Sequence, residues 1–289
     1  MRSGEFCITL VTCEDQAELH PSDQILAEEL ERLGVRVRVA IWSDPGVDWA
    51  RDPVTVLRST WDAHLRPQEF RSWLQRVGTL TCLCNSAQTV QWNFDKQYLL
   101  DLQARNVRII PTLYFERHAT PGLCRADIPW ESVVTKPAVG ASSHGVRLFN
   151  ADTELDALKA YLGALLEKSG ALLQSYVSTV RTAAERSLVF IEGEYTHAVR
   201  RVPFNRGSTP DTGDLDHEAS LEEIAFAERV LGAAGALQAA FARVDLLPSP
   251  DGILLMELEL IEPSLFFTRK PSSAQRLAQV LRKKLESIG

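Results

Sequence analysis

The chain lacks the features that would tie it to a nucleic acid, a membrane or an oxidising compartment. Its net charge is −7, with no basic block and no stripe of Lys and Arg interleaved with aromatics. That removes the electrostatic footprint that a nucleic acid or an anionic bilayer requires. The first apolar run, Phe6–Thr12, is followed at once by Glu14 and Asp15, and no other run approaches a membrane span. We therefore expect a soluble, cytoplasmic protein with neither nucleic acid nor membrane as a partner. Five cysteines, an odd number without a CxxC pair, and six scattered histidines argue against a disulfide framework and a zinc site. Neither GxGxxG after the first strand nor GxxxxGK[ST] occurs, so a dinucleotide fingerprint and a P-loop are both excluded. There are no internal repeats and no low-complexity tract.

The 289 residues, 45% apolar and 24% charged, suit one large or two to three small domains. Phe6–Thr12 reads as a strand, and a helix Ser22–Leu33 follows with Ser22 as its cap and Gly34 at its end. Val35–Ile41 alternates as a second strand and Val54–Leu57 is a third; Phe70, Trp73, Leu74 and Val77 mark a helix, and Leu80–Cys84 returns as a strand. Alternation over short connections predicts α/β with a parallel sheet. Asn93 reads as the cap of a helix Phe94–Arg105, with Lys96 in a first turn whose dipole disfavours a cation. Later segments read as α+β with antiparallel sheets: the helix Asp152–Lys168, the strand Ala171–Gln174, the hairpin Arg186–Ile191 with Tyr195–Val202, the loop Pro203–His217, the helix Leu221–Ala234, the strands Ala239–Leu247 and Ile253–Ile261, and the helix Ala274–Ser287.

Four stretches hold chemistry. In Val133–Phe149, VVTKPAVGASSHGVRLF, Lys136 stands where a β-branched run meets a loop of Gly140, Ala141, Ser142, Ser143 and Gly145. Backbone N–H groups, two hydroxyls and an ammonium around one volume suit a phosphate. An ordinary mobile hairpin with an incidental lysine explains the stretch equally well. TCED and RSTWD lie at the carboxyl ends of the first and third strands, where open α/β sheets bind ligands. They offer Glu14, Asp15, Arg58 and Thr60 as substrate contacts, against the plainer reading of turns that cap the next helix. In the last hairpin, Arg243 and Asp245 face Glu257 and Glu259 across a turn near Pro250. Crowded carboxylates repel one another and Mg²⁺ relieves that repulsion, whereas the solvated face of an edge strand is the alternative.

Taken in order, Lys96 in NFDK, Lys136 before the Gly/Ser loop, Gln174-Ser175-Tyr176-Val177, Arg243-x-Asp245 and Glu257-x-Glu259 resemble the series found in ATP-grasp ligases, over essentially the whole chain. TCED, LRSTWD, WNFDK, KPAVGASSHG, ERSLVF and LLMELELIEP are most similar to the group containing the D-cycloserine-forming (O-ureido-serine) cyclo-ligase. The resemblance implies an ATP-grasp fold, with residues 1–92 as an α/β pre-grasp domain, 93–177 as the central subdomain with the lid, and 178–289 as the C-terminal subdomain. It implies ATP and Mg²⁺. Lys96 and Lys136 would hold the α- and β-phosphates; Gly140, Ser142, Ser143 and Gly145 would close over the γ-phosphate; Gln174, Ser175, Tyr176 and Val177 would bind adenine. Asp245, Glu257 and Glu259 would hold the metal, although many members have asparagine where Glu259 stands. Arg186 and Arg243 would act with Lys136 in catalysis, and Glu185 would serve the ribose hydroxyls. The implied reaction phosphorylates a small amino-acid-like carboxylate and lets an amine attack it, within or between molecules. A non-catalytic ATP-binding regulatory protein is the rival, disfavoured by the retained carboxylates. A homodimer fits the class, but no hydrophobic stretch marks an interface.

Overall fold

The computed structural model describes residues 7–120, 122–141, 143–201 and 214–288. Ser142 and the segment 202–213 lie outside the described residues, and with them part of the loop expected at Pro203–His217. Three sheets follow one another along the chain.

The first sheet is parallel: β1 (Cys7–Thr12), β2 (Arg36–Ile41), β3 (Val54–Ser59) and β4 (Cys82–Cys84), in the order β2-β1-β3-β4. Both faces of β1 and β3 are buried, which is why these strands read as continuous apolar runs. The helix α1 (Pro21–Arg32) is capped by His20, whose ring accepts from Ser22 N; Ser22 Oγ instead accepts from Phe267 N (2.9 Å) and pins the C-terminal segment. Phe70 and Trp73 of α2 (Pro67–Val77) pack against Trp42. The helix expected at Phe94–Arg105 is two shorter ones, α3 (Ala87–Asn93) and α4 (Tyr98–Ala104). Asn93 ends α3 rather than capping the next helix, because its amide serves another sheet: Nδ2 donates to Leu258 O and Oδ1 accepts from Leu260 N. Lys96 therefore sits in the break between helices, and the expected clash with a helix dipole does not arise.

The second sheet is antiparallel: β5 (Thr112–Phe115), β6 (Ser132–Pro137), β7 (Arg147–Asn150) and β8 (Ala171–Ser175), in the order β5-β8-β6-β7 and backed by α5 (Leu155–Leu166). After the single turn α6 (Thr179–Thr182), the third sheet contains β9 (Glu185–Ile191), β10 (Glu194–Arg201), β11 (Leu215–His217), β12 (Phe241–Ser249) and β13 (Gly252–Glu259). The residues Leu215–His217, expected as loop, pair with β10 as an edge strand too short and polar to show any pattern. The helix α7 (Leu221–Ala234) opens on a Ser220/Glu223 capping box and closes on Gly235 at φ +66°. It covers one face of this sheet with Phe226, Ala227, Val230 and Leu231. The amphipathic α8 (Pro271–Ile288) returns to α1, burying Leu277 and Leu281 against Leu26 and Leu30.

A second asparagine joins the sheets. Asn85 Nδ2 donates to Phe241 O and Leu260 O, and its Oδ1 accepts from Ala240 N (2.7 Å). The side chain is 5% exposed, so each bond satisfies a backbone group that water cannot reach.

His197 on β10 carries a pH dependence. Its Nδ1 meets Thr196 Oγ1, while Nε2 is buried with no partner among the described residues. Burial, then the charge of Lys270, lowers its pKa from 6.5 to about 4. The folded chain thus binds this proton more weakly than the unfolded one, so stability present above pH 6.5 is lost as pH falls toward 4. The loss is at most about 3 kcal/mol from this group. Urea melts at pH 7 and pH 4.5 should show a smaller pH-dependent loss for His197→Gln than for the unaltered chain.

Candidate active site

Strand register decides which charges meet. Arg243 pairs with Glu259 and Val189, and Asp245 pairs with Glu257 and Ser187. Glu185, opposite Arg201, falls on the same face two residues before Ser187. One face of the third sheet therefore carries Asp245, Glu257, Glu259, Glu185, Arg201 and Arg243, and the other carries the leucines that meet α7.

One carboxylate oxygen each from Asp245, Glu257 and Glu259 lies within 4.8 Å of the others. Arg243 holds two of them: Nε and Nη2 donate to the two oxygens of Asp245 (both 2.9 Å), and Nη2 also reaches Glu259. Lys136 Nζ donates to Glu257 Oε1 (2.9 Å), and Lys96 Nζ stands 3.8 Å from the same oxygen. Burial pushes the Glu257 carboxyl up, but Lys136 and Lys96 outweigh it and bring its pKa to about 2. Glu259 goes the other way, raised by burial against the pull of Arg243.

The second sheet brings the loop to this cluster. Lys136 pairs with Leu172 and Val134 with Gln174, so Lys136 and Gln174 share a face. Gln174 Nε2 donates to Thr112 Oγ1 (2.8 Å), and Tyr176 and Val177 pack with Ile110, Val180, Leu247, Leu254 and Met256 as a small apolar wall. The loop folds down over the cluster: Lys96 Nζ donates to Gly140 O (2.7 Å), Lys96 N to Ala138 O, and the ring of His144 lies 5.6 Å from that of His64. A Cβ on Gly140 would stand 2.9 Å from Pro137 Cγ, and Gly145 has φ +72°, so both glycines are demanded by the fold of the loop. Ser143 lies in this loop at φ +57°.

Several expected site residues go elsewhere. Arg186 is on the wrong face: it pairs with Leu246 and forms an ion pair with Glu223 on the α7 side. The partly exposed arginine on the face of the carboxylates is Arg201, which the sequence alone did not single out. Arg201 bonds Glu185 (3.2 Å), and its side chain remains 33% exposed, whereas every nitrogen of the buried Arg243 is engaged. Arg243 thus holds the carboxylates of Asp245 and Glu259 in place. Arg201 could have been found by carrying the alternation of the last hairpin across β9 to β10. Glu185 is drawn to Arg201 and Ser187 rather than left for a ribose, and burial, reinforced by Asp245, raises its pKa to about 7. Arg58 is an internal brace, 1% exposed, with Nε on Asp23 and Nη2 on Pro263 O, while its Nη1 is buried without a partner among the described residues. Thr60 is fully buried, and Glu14 and Asp15 are exposed in the turn after β1.

Arg201→Gln is accordingly expected to slow ATP-dependent turnover about 10²-fold. Arg186→Gln should stay within about 3-fold, because it loses only a partly exposed ion pair on the far face. ADP release at saturating ATP compares the two directly, and equal losses would contradict the assignment.

The sequence model of the D-cycloserine synthetase DcsG N-terminal domain matches residues 8–85. The cycloserine biosynthesis protein DcsG of Streptomyces lavendulae is 31% identical over 277 residues, 90% of this chain and 93% of that protein. A crystal structure of D-cycloserine synthetase DcsG superimposes with a TM-score of 0.89 at 29% identity, covering 96% of this chain and 99% of that one. D-alanine–D-alanine ligase from Bacillus anthracis, complexed with ATP, has the same fold at a TM-score of 0.67 and 13% identity, each chain covered to 98%.

Proposed function

Because this chain belongs to the family of the cycloserine biosynthesis protein DcsG and is an ATP-grasp ligase joining carboxylate to amine, we propose that its substrate is a small amino acid cyclised on its own activated carboxylate. The similarity to DcsG supports cyclisation. The observation that supports the chemistry most directly is the convergence of Asp245, Glu257 and Glu259 with Lys136 and Lys96 on one side of a glycine-rich loop.

In this reading Lys136 and Lys96 leave Glu257 for the phosphates of ATP, and the adenine lies between Gln174 and the apolar wall of Tyr176 and Val177. The loop of Gly140, Ser143 and Gly145, with Ser142 beside them, covers the terminal phosphate. Three clustered carboxylate oxygens are a hard-donor set that fits Mg²⁺ and does not fit a thiophilic metal. Mg²⁺ held there by Asp245, Glu257 and Glu259 would neutralise phosphate charge. Arg201 reaches the phosphoryl group as it moves to the substrate carboxylate, and Arg243 keeps Asp245 and Glu259 aimed. A closed loop keeps water from the acyl phosphate until the amine attacks.

A screen for ADP release with Mg-ATP against small amino acids, including ureido compounds and both configurations, tests this function. ADP formed in step with a cyclic product supports it. Nucleotide binding without ADP across the whole panel would favour a non-catalytic ATP-binding protein.

A further inference from the structure

We propose that Glu262 binds the ammonium group of an α-amino acid whose carboxylate is the one activated; the inference rests on the ligase reading above. Past β13 the chain crosses the carboxyl end of the first sheet. Trp61 Nε1 donates to Glu262 O (3.0 Å), Arg58 Nη2 to Pro263 O (2.8 Å), and Arg243 Nη1 to Ser264 O (3.3 Å). These bonds fix the backbone of Glu262 between the carboxylate cluster and the end of β3.

The side chain of Glu262 is left out of this network. Neither of its oxygens has a hydrogen-bond partner among the described residues, and Oε2 is buried. None of the cations around it bonds Glu262: Arg58 is held by Asp23, with its Nη1 buried and unpartnered, Arg243 by Asp245 and Glu259, and Lys96 by Gly140 O beside Glu257. Next to Trp61, the hydroxyl of Thr60 is fully buried and equally unpartnered. A secluded carboxylate without a counter-charge carries a free-energy cost that a cation removes. Burial, then the charge of Glu259, raises the Glu262 carboxyl to about 8 against the pull of Lys96, Arg58 and Arg243.

A divalent metal is better served by the neighbouring three-carboxylate set. The group that fits Glu262 is a compact ammonium carrying its own donors. In an α-amino acid that ammonium sits on the carbon next to the carboxylate, so a substrate activated beside Glu259 presents it toward Glu262. Recognition of this kind selects free amino acids over their deaminated or N-acylated counterparts.

The test measures melting of the full chain loaded with Mg²⁺ and the non-hydrolysable analogue AMPPNP, in the presence of alanine, serine and O-substituted serines of both configurations. Propionate and 3-hydroxypropionate are the deaminated controls. At least one amino acid should stabilise the loaded chain while its deaminated partner does not. Glu262→Gln should lose that stabilisation, and for the amino acid that supports ADP release its KM should rise roughly 30-fold or more with kcat little changed. A nucleotide-induced shift retained in Glu262→Gln shows that the variant is folded. Equal binding of the deaminated acid, or an unchanged preference in Glu262→Gln, overturns the proposal alone. No nucleotide shift in the unaltered chain overturns the ligase reading, and the proposal with it.

Discussion

Lys136→Ala should lower ADP release at saturating ATP by about 10²–10³-fold, the loss expected when one preorganised charged contact to a transferring group is removed from a water-poor site. Lys136 is 6% exposed and its ammonium lies 2.9 Å from Glu257, so the substitution also strips a partly buried carboxylate of its nearest cation. Part of any loss of activity could then be mistaken for a loss of fold. A melt of Lys136→Met, which keeps the apolar stem and leaves Lys96 3.8 Å from Glu257, separates the two. It should melt close to the unaltered chain, yet it should remain as inactive as Lys136→Ala. Retention of full activity in Lys136→Ala would refute the phosphate role.

Asp245→Asn should do more damage, roughly 10³-fold or more in turnover, because one residue serves two purposes. Its carboxylate belongs to the three-oxygen cluster, and both of its oxygens fix Arg243, which in turn holds Glu259. Asparagine offers a single acceptor and no charge, so the buried guanidinium loses its bidentate partner. We expect about 3 kcal/mol of lost stability beside the lost activity. The diagnostic measurement is ADP release against Mg²⁺ concentration. A metal ligand shifts the half-saturating concentration at least about 10-fold, whereas damage confined to Arg243 lowers the plateau and leaves the midpoint in place. An unchanged Mg²⁺ midpoint would remove Asp245 from the metal set.

Much of this architecture was legible in the sequence because it rests on local pattern. Continuous apolar runs announced β1 and β3, and alternation announced the last hairpin well enough to place Asp245 opposite Glu257, the pairing observed. Sequence lost its grip where long-range contacts decide. Nothing local shows that Asn93 bonds Leu258 and Leu260, so it passed for a helix cap. The buried pairing of Arg58 with Asp23 is a contact across the first sheet, and a polar strand end looked like a ligand site instead. The exchange of Arg186 for Arg201 has the same origin. Two arginines on adjacent strands differ by which face they take, and that follows from inter-strand register rather than from either strand alone.

The two asparagine clips bear on how the enzyme opens. Asn85 and Asn93 tie the first sheet and its helices to β12 and to the end of β13, through backbone groups sealed from water. The second sheet reaches the same carboxylates through Lys136, and its loop meets Lys96 through Gly140 O, the very groups a nucleotide would claim. The carboxylate cluster is therefore set on a braced frame before anything binds, and the contacts that an entering nucleotide would exchange are those of Lys136, Lys96 and Gly140.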